Sequence, residues 1–300
     1  ATDVAGNVIA TSIGNDVVIG DNGRFNWDSA GQLESFASQN AGATSIVPGT
    51  NPFSGVDVGI RSLSSLADLD GDGDLDAVIG EYDGMLRYYE NTGTLAAPVF
   101  VLRTGTASPF DGIDVGFGSA PALIDLNGDG DFDLVVGAED GTLRYFENTG
   151  SATAPVYVER TAAANPFSAI DVGMQSAPAF ADLNGDGDPD LVVGEFGNSL
   201  KYFENTGSAT APVYVERSGA ANPFDGLEVG AMSSPAFVDL DGDGDPDLAV
   251  GESGGNIRYY ENTGTGGVPQ YVARGGAANP LAGIDVGTQA APAFADLDGD

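Results

Sequence analysis

Five times along this chain, always 57 residues apart, one acidic nonapeptide returns: Asp68-Leu-Asp-Gly-Asp-Gly-Asp-Leu-Asp76, then copies that open at Asp125, Asp182, Asp239 and Asp296, the last cut short by the chain's end. A fixed period of this length means one supersecondary unit stacked on copies of itself. Within each copy a carboxylate or carboxamide stands at every second residue. Carboxylates crowded in this way repel by roughly 1 kcal/mol per close pair in water and about 4 kcal/mol at an effective dielectric near 20. A hard cation removes that cost, so the loop reads as a calcium site. Magnesium, which prefers to keep its waters, suits an all-protein cage less well. A metal-free acidic turn needs one or two Asp, not five in alternation.

Positions 1, 3 and 5 of each loop can turn side-chain oxygens inward. Gly at position 6 allows the sharp turn, position 7 can offer its backbone carbonyl, and position 9 can close the shell. The candidate ligands are Asp68, Asp70, Asp72, Asp74 and Asp76 in the first copy, and Asp125, Asn127, Asp129, Asp131 and Asp133 in the second. The third copy offers Asp182, Asn184, Asp186, Asp188 and Asp190, and the fourth Asp239, Asp241, Asp243, Asp245 and Asp247. A partial fifth site is expected at Asp296, Asp298 and Asp300, completed by Asp16 from the other end of the chain. An EF-hand would carry Glu at position 12 on an exiting helix, but Ile79, Val136, Val193 and Val250 stand there, inside apolar runs that read as strands. The loop therefore belongs to a hairpin.

One full period shows what the repeat builds. Ser119 to Asp125 leads into the loop as a first strand, Asp133-Leu-Val-Val-Gly137 is a short apolar second strand, and Glu139-Asp-Gly141 is a hairpin turn. Thr142 to Glu147 makes a third strand, Asn148-Thr-Gly150 turns again, and Pro155 to Arg160 makes a fourth. Four short strands per period, without helical periodicity, predict an all-β fold: a β-propeller of four-stranded blades. The connection between units, Asn165 to Gly173, opens on an Asn-Pro that recurs at Asn51, Asn222 and Asn279, with Ser108-Pro109 taking its place once.

The Asp-x-Asp/Asn-x-Asp-Gly-x-x-Asp loop, led in by Phe117-Gly118-Ser-Ala120-Pro121 and followed by Leu-Val-Val-Gly, resembles the FG-GAP/VCBS-like repeats of bacterial surface proteins and of integrin α-subunit propellers. The resemblance spans about residues 51–300. It implies propellers with calcium in the hairpin between strands one and two, which agrees with the spacing argument above. Later copies depart in the lead-in, with Met174-Gln175 and Ala231-Met232 for Phe-Gly, and Leu63-Ser64 stands once for Ala-Pro. The ligand positions are intact.

Residues 1–50 read as a partial first blade, residues 51–295 as four calcium-loop repeats, and residues 296–300 as the start of a fifth loop, all within one propeller. Asp16 to Trp27 parallels Asp133 to Phe146, and Leu33-Glu-Ser-Phe36 supplies a fourth strand, so this unit lacks its first strand and most of its loop. Ala291 to Leu297 is a first strand without a blade. Pairing of the two ends would close five blades and remove exposed sheet edges. The alternatives are a fragment of a larger array, such as seven blades, and a degenerate RTX-type calcium repeat at Gly14-Asn-Asp and Gly20-Asp-Asn. The start at Ala1 and the stop inside a loop lead us to expect a processed product or a piece of a longer polypeptide or polymer.

A formal charge of −35, with 21 of the 45 acidic residues in the five loops, excludes nucleic acid as an expected partner. There are no Cys, hence no disulfides, and no apolar run long enough to span a membrane as a helix. An extracellular or cell-surface location follows, with calcium in the cross-linking role that disulfides take elsewhere. The absence of His and Cys, and of Gly-x-Ser-x-Gly or phosphate-loop patterns, argues against an enzyme. Near-identical units also argue against one unique active site. The expected function is a calcium-stabilised binding or scaffold module of adhesin or surface-structural type, meeting a protein or glycan ligand on a cell surface or matrix. A lectin-like carbohydrate-binding propeller is the alternative, and a polysaccharide lyase or glycosidase the third reading. Eight of the ten basic residues fall into two registers, Arg87/Arg144/Lys201/Arg258 and Arg103/Arg160/Arg217/Arg274, expected to pair with Glu90, Glu147, Glu204 and Glu261. The aromatic pairs from Tyr88-Tyr89 to Tyr259-Tyr260 are expected to pack between blades, and Trp27 in the first blade's core.

Overall fold

A computed structural model describes residues 61–94, 97–265 and 267–295, with the backbone of four short strands nearer the N-terminus. Those four are β1 (Val8–Ile9), β2 (Asp16–Ile19), β3 (Phe25–Trp27) and β4 (Leu33–Phe36). The first complete blade is β5 (Leu63–Ala67), β6 (Asp76–Gly80), β7 (Leu86–Asn91) and β8 (Phe100–Arg103). The second is β9 (Ala120–Ile124), β10 (Asp133–Gly137), β11 (Leu143–Asn148) and β12 (Tyr157–Arg160). The third is β13 (Ala177–Ala181), β14 (Asp190–Gly194), β15 (Leu200–Asn205) and β16 (Tyr214–Arg217). The fourth is β17 (Ser234–Val238), β18 (Asp247–Gly251), β19 (Ile257–Asn262) and β20 (Tyr271–Arg274), after which comes β21 (Pro292–Ala295). Each blade is an antiparallel meander of its four strands in chain order. Among the described residues the fold is thus an all-β propeller with four complete four-stranded blades.

The sequence of each strand follows from its depth. The second strand of every blade is buried along its whole length, with Leu134, Val135 and Val136 at 0% exposure, because a neighbouring blade covers each of its faces. It reads as an unbroken apolar run for that reason. In the third strand Tyr145 packs toward the following blade, with Phe167 and Leu191, while Phe146 packs toward the preceding one, with Phe110 and Val78. The aromatic pairs therefore serve both interfaces, as their alternation predicts.

The connections bind blade to blade. Each carries a short 3-10 turn, such as Ala162–Ala164, followed by Asn165, whose Oδ1 accepts from Phe167 N–H at 2.8 Å and whose Nδ2 donates to the Leu143 carbonyl. Ser108 keeps the acceptor where Asn is missing, since its Oγ receives Phe110 N–H. The Phe so positioned is a wedge: Phe110 stacks on Tyr157 of the next blade, with centroids 4.8 Å apart, and meets Tyr88 of its own edge-on at 5.7 Å. Phe167 and Phe224 repeat this arrangement with Tyr214 and Tyr271.

At the ends, β2 pairs antiparallel with β21, Asp16 opposite Ala295 and Ile19 opposite Pro292, in the register expected of a second and a first strand. The innermost strands β5, β9, β13, β17 and β21 pack in succession, and β21 also lies against β5. Two departures from the sequence reading occur here. Beside β2, where a third strand belongs, stands β1, which the sequence reading left without a role. Meanwhile β3 and β4 pair with each other in a separate two-stranded sheet. The side chains of Asp16 and Trp27, the Asn51-Pro connection and Asp296, Asp298 and Asp300 lie outside the described residues. Among the described residues no helix is long and apolar enough to cross a membrane.

Candidate functional site

Each acidic loop joins the first strand of a blade to the second, and the same turn chemistry holds all four in shape. In the second blade Asp125 accepts Gly128 N–H on Oδ1 at 2.7 Å and Gly130 N–H on Oδ2 at 3.0 Å. Asn127 Oδ1 then accepts Asp129 N–H and Asp129 Oδ1 accepts Asp131 N–H, at 2.9 and 3.0 Å. These are successive Asx turns, each carboxyl or amide bonding the backbone two residues on. Asp68, Asp70 and Asp72 repeat the pattern, as do Asp182, Asn184 and Asp186, and Asp239, Asp241 and Asp243. Gly128 and Gly130 take φ of +74° and +90°, which bends the chain around the carboxylates.

The residue at position 9 is of a different kind. Asp133 is fully buried and holds three donors: Asn148 N–H on Oδ1 at 2.7 Å, and Tyr145 O–H at 2.8 Å and Leu126 N–H at 3.3 Å on Oδ2. Asp76 makes the corresponding bonds to Asn91, Tyr88 and Leu69, and Asp247 to Asn262, Tyr259 and Leu240. Asp190 takes Asn205 N–H and Tyr202 O–H. Burial pushes the carboxyls of Asp76, Asp133 and Asp190 up to about 6, against the pull of these hydrogen bonds. Position 9 is therefore first a structural hub, tying the loop to the third strand. The sequence reading missed its tyrosine, although a signal existed. The first member of each aromatic pair is always Tyr (Tyr88, Tyr145, Tyr202, Tyr259), whereas the second is Tyr or Phe.

The donor set suits a hard cation. Carboxylate oxygens of Asp68, Asp70 and Asp72 lie within 4.8 Å of one another, and so do those of Asp239, Asp241 and Asp247. Every side-chain donor in the four loops is oxygen, as calcium or magnesium requires. Desolvation first, and then the neighbouring Asp charges, raise the carboxyls of Asp70 and Asp241. A bound cation would reverse that preference. At position 7 of the third loop, Asp188 Oδ1 accepts Ala209 N–H at 2.6 Å, which ties that loop to the turn after the third strand.

The basic registers form ion pairs, in part with partners other than those expected. Arg103, Arg160, Arg217 and Arg274 pair with Glu90, Glu147, Glu204 and Glu261 at 2.6 to 2.7 Å. Arg87, Arg144 and Lys201 turn instead to Glu81, Glu159 and Glu216, because their side chains point to the opposite face of the strand. These exposed pairs contribute about 0 to 1 kcal/mol each.

A family model described as FG-GAP-like repeat matches residues 68–136, 125–193, 182–250 and 239–300. Integrin alpha-7 of Rattus norvegicus is 30% identical over 193 residues, covering 56% of this chain and 17% of that protein. Integrin alpha-6 of Homo sapiens is 30% identical over 166 residues, covering 51% of this chain and 14% of its own length. The chain thus spans under a fifth of these relatives. A solved Agrocybe aegerita lectin, described as specifically recognising non-reducing terminal N-acetylglucosamine, aligns with a TM-score of 0.42 at 18% identity, over 91% of this chain and 66% of the lectin.

Proposed function

The chain belongs to the FG-GAP-like repeat family, and we propose that it is a calcium-stabilised extracellular binding module of adhesion type, without enzymatic activity. The observation that carries this reading is the fourfold recurrence of a preshaped, all-oxygen loop whose carboxylates converge within 4.8 Å in the first and fourth copies. Calcium would be held by Asp68, Asp70 and Asp72 with the Asp74 carbonyl, and by the corresponding residues of the other loops; Asp76, Asp133, Asp190 and Asp247 would close each shell while still tied to strand three. The ion supplies charge neutralisation and a cross-link inside each hairpin. Resemblance to integrin alpha chains over half of the chain supports the adhesion setting. The acidic composition suits a fluid rich in calcium.

We further propose that residues 1–300 form one propeller of five blades, closed where β2 meets β21. Support comes from the register of that pair and from the packing of β21 on both β17 and β5. A fifth, partial calcium site at Asp296, Asp298, Asp300 and Asp16 belongs to the same proposal. Calorimetric titration of the calcium-free protein tests the metal assignment. Four ions per chain are expected with a large rise in melting temperature, and fewer than three ions, or a melting temperature indifferent to EDTA, would overturn it.

A further inference from the structure

The repeats are nearly identical at the acidic loops but differ at the opposite end of the innermost strands. In the register just before each inner strand stand Arg61, Gly118, Gln175, Met232 and Gln289, spaced by 57 residues. No two neighbours in that series are alike. The four that are not glycine hold left-handed backbone, with φ of +59°, +58°, +55° and +50°, a conformation that such side chains rarely adopt and that clusters where recognition requires it. The adjoining rim also varies: Phe117 and Met174 precede this register, and Tyr82, Glu139, Phe196 and Ser253 follow the second strands. The metal loops build the scaffold, and this end of the channel is where one blade is told from another.

These residues line the mouth of the central channel, where a cavity of about 40 Å³ lies among Arg61, Ser62, Gln175, Ser176, Met232 and Gln289. Such a volume takes a single small end group. Gln175 is 8% exposed, and its Nε2 donates to both Glu139 oxygens at 3.3 Å. The carboxylate fixes the amide's orientation, because a flipped amide would set oxygen against oxygen. Its Oε1 is left buried without a hydrogen-bond partner among the described residues. An orphaned buried acceptor calls for a donor from outside.

The charges at the mouth are already satisfied. Glu139 receives Arg61 Nη1 at 2.6 Å as well as Gln175, Glu195 accepts Gly197 N–H and Ser199 O–H, and Glu252 accepts Gly254 N–H and Asn256 Nδ2. A cationic ligand would have to displace these bonds. An anionic one would meet a chain of net charge −35. Beside the cavity, Tyr82 and Phe117 form a tilted aromatic pair 5.8 Å apart, 42% and 59% exposed, with the Arg61 guanidinium 5.6 Å from the Tyr82 ring.

Resting on the reading of the chain as a binding module, we infer that the channel mouth binds the end of a neutral saccharide. One sugar hydroxyl enters the cavity and donates to Gln175 Oε1, while the apolar face of the ring lies on Phe117 and Tyr82. An uncharged group with O–H donors on one edge and C–H bonds on one face matches an orphaned acceptor beside exposed aromatic rings.

The test is titration of the calcium-loaded chain with D-glucose, D-galactose, D-mannose and N-acetyl-D-glucosamine, read by saturation-transfer NMR, and with an array of neutral oligosaccharides. At least one neutral sugar should bind with a dissociation constant of about 10 mM or tighter. Gln175→Met, which keeps the volume but removes the acceptor together with the amide's bonds to Glu139, should weaken it at least about tenfold, and Phe117→Ala, at a 59% exposed side chain, by a similar factor with an unchanged melting temperature. Val158→Thr, on an exposed outer strand away from both the metal loops and the channel mouth, should leave sugar affinity unaltered, and the calcium count is read separately by calorimetry, so failure of the metal assignment stays separable from failure here. Absence of saturable binding by every sugar and glycan tried overturns the inference. So does binding that Gln175→Met and Phe117→Ala leave intact, or a site that takes only a protein ligand.

Discussion

At the scale of single residues, the position-9 aspartate and its tyrosine decide most. Asp133 is a buried carboxylate with three donors, and removing one strands part of its charge. Tyr145→Phe should therefore lower stability by about 1 to 3 kcal/mol, read from urea unfolding in calcium, whereas a hydroxyl at the second aromatic position serves the other face of the strand, as Tyr260 O–H does in donating to the Glu228 carbonyl. A variant as stable as the parent would refute the hub role. The carboxyl's position near 6 also predicts a titration. In chelator, carbon-detected NMR of Asp133 should show a midpoint near pH 6, and calcium should move it down. Because the folded value lies above the ordinary 3.8, the native state holds more protons than the unfolded chain between these values. This group's contribution is thus full below about pH 4 and is lost as pH rises through 6. A midpoint near 4 in chelator would contradict the desolvation argument.

At the scale of elements, what matters is how closely blades approach. A Cβ on Gly137, at the end of β10, would collide with the Ser176 carbonyl of the next blade, and Gly80, Gly194 and Gly251 meet Ser119, Ser233 and Ala290 in the same way. Ser176 closes the seam from its side: its Oγ accepts Ala138 N–H at 2.8 Å and donates to the Thr142 carbonyl at 2.7 Å. Gly137→Ala should cost about 1 to 3 kcal/mol by overpacking. Gly130→Ala meets nothing within 4 Å and should cost only the roughly 1 kcal/mol of its left-handed backbone. Equal losses in thermal melts of the two variants would contradict this account of the seam. Strand limits were legible to within a residue or two, and the misses have local causes. The fourth strand begins at Tyr157, not Pro155, because Pro155 has no N–H and the Val156 N–H goes to the Asn148 side chain.

At the scale of the molecule, the metal loops and the closure act together. The loop of one blade lies under the outer turn of the next, where a Cβ on Gly128 would strike Thr210. Asp129→Ala should abolish one calcium site, with a loss of about 4 kcal/mol at free calcium a thousandfold above the dissociation constant, and slightly loosen the third blade while other sites stay near normal in calorimetry. Loss of all sites together would mean that the loops are not independent. Closure has its own test, since Val18 and Ala293 face each other across the β2–β21 pair and the chain has no Cys. In Val18→Cys/Ala293→Cys a disulfide should form on mild oxidation and raise resistance to unfolding, as mass spectrometry and melting would show. Free thiols under those conditions would place the ends apart.

The period, the all-β class, the four strands per unit and the acidic loop could all be read from the order of residues, because each depends on neighbours within about a dozen positions and recurs. So could the pairing of Asp16–Ile19 with the last strand, since a missing element at one end matched a surplus at the other. Three features needed the folded chain. The Tyr–Asp bond matters because the fold buries both partners on one face of adjacent strands, the close seam at Gly137 joins different blades, and the channel mouth gathers residues 57 apart. Insertion of β1 beside β2, with β3 and β4 in a sheet of their own, was likewise invisible in advance. A two-residue strand carries almost no periodicity, and its place is set by which sheet edge is open to it.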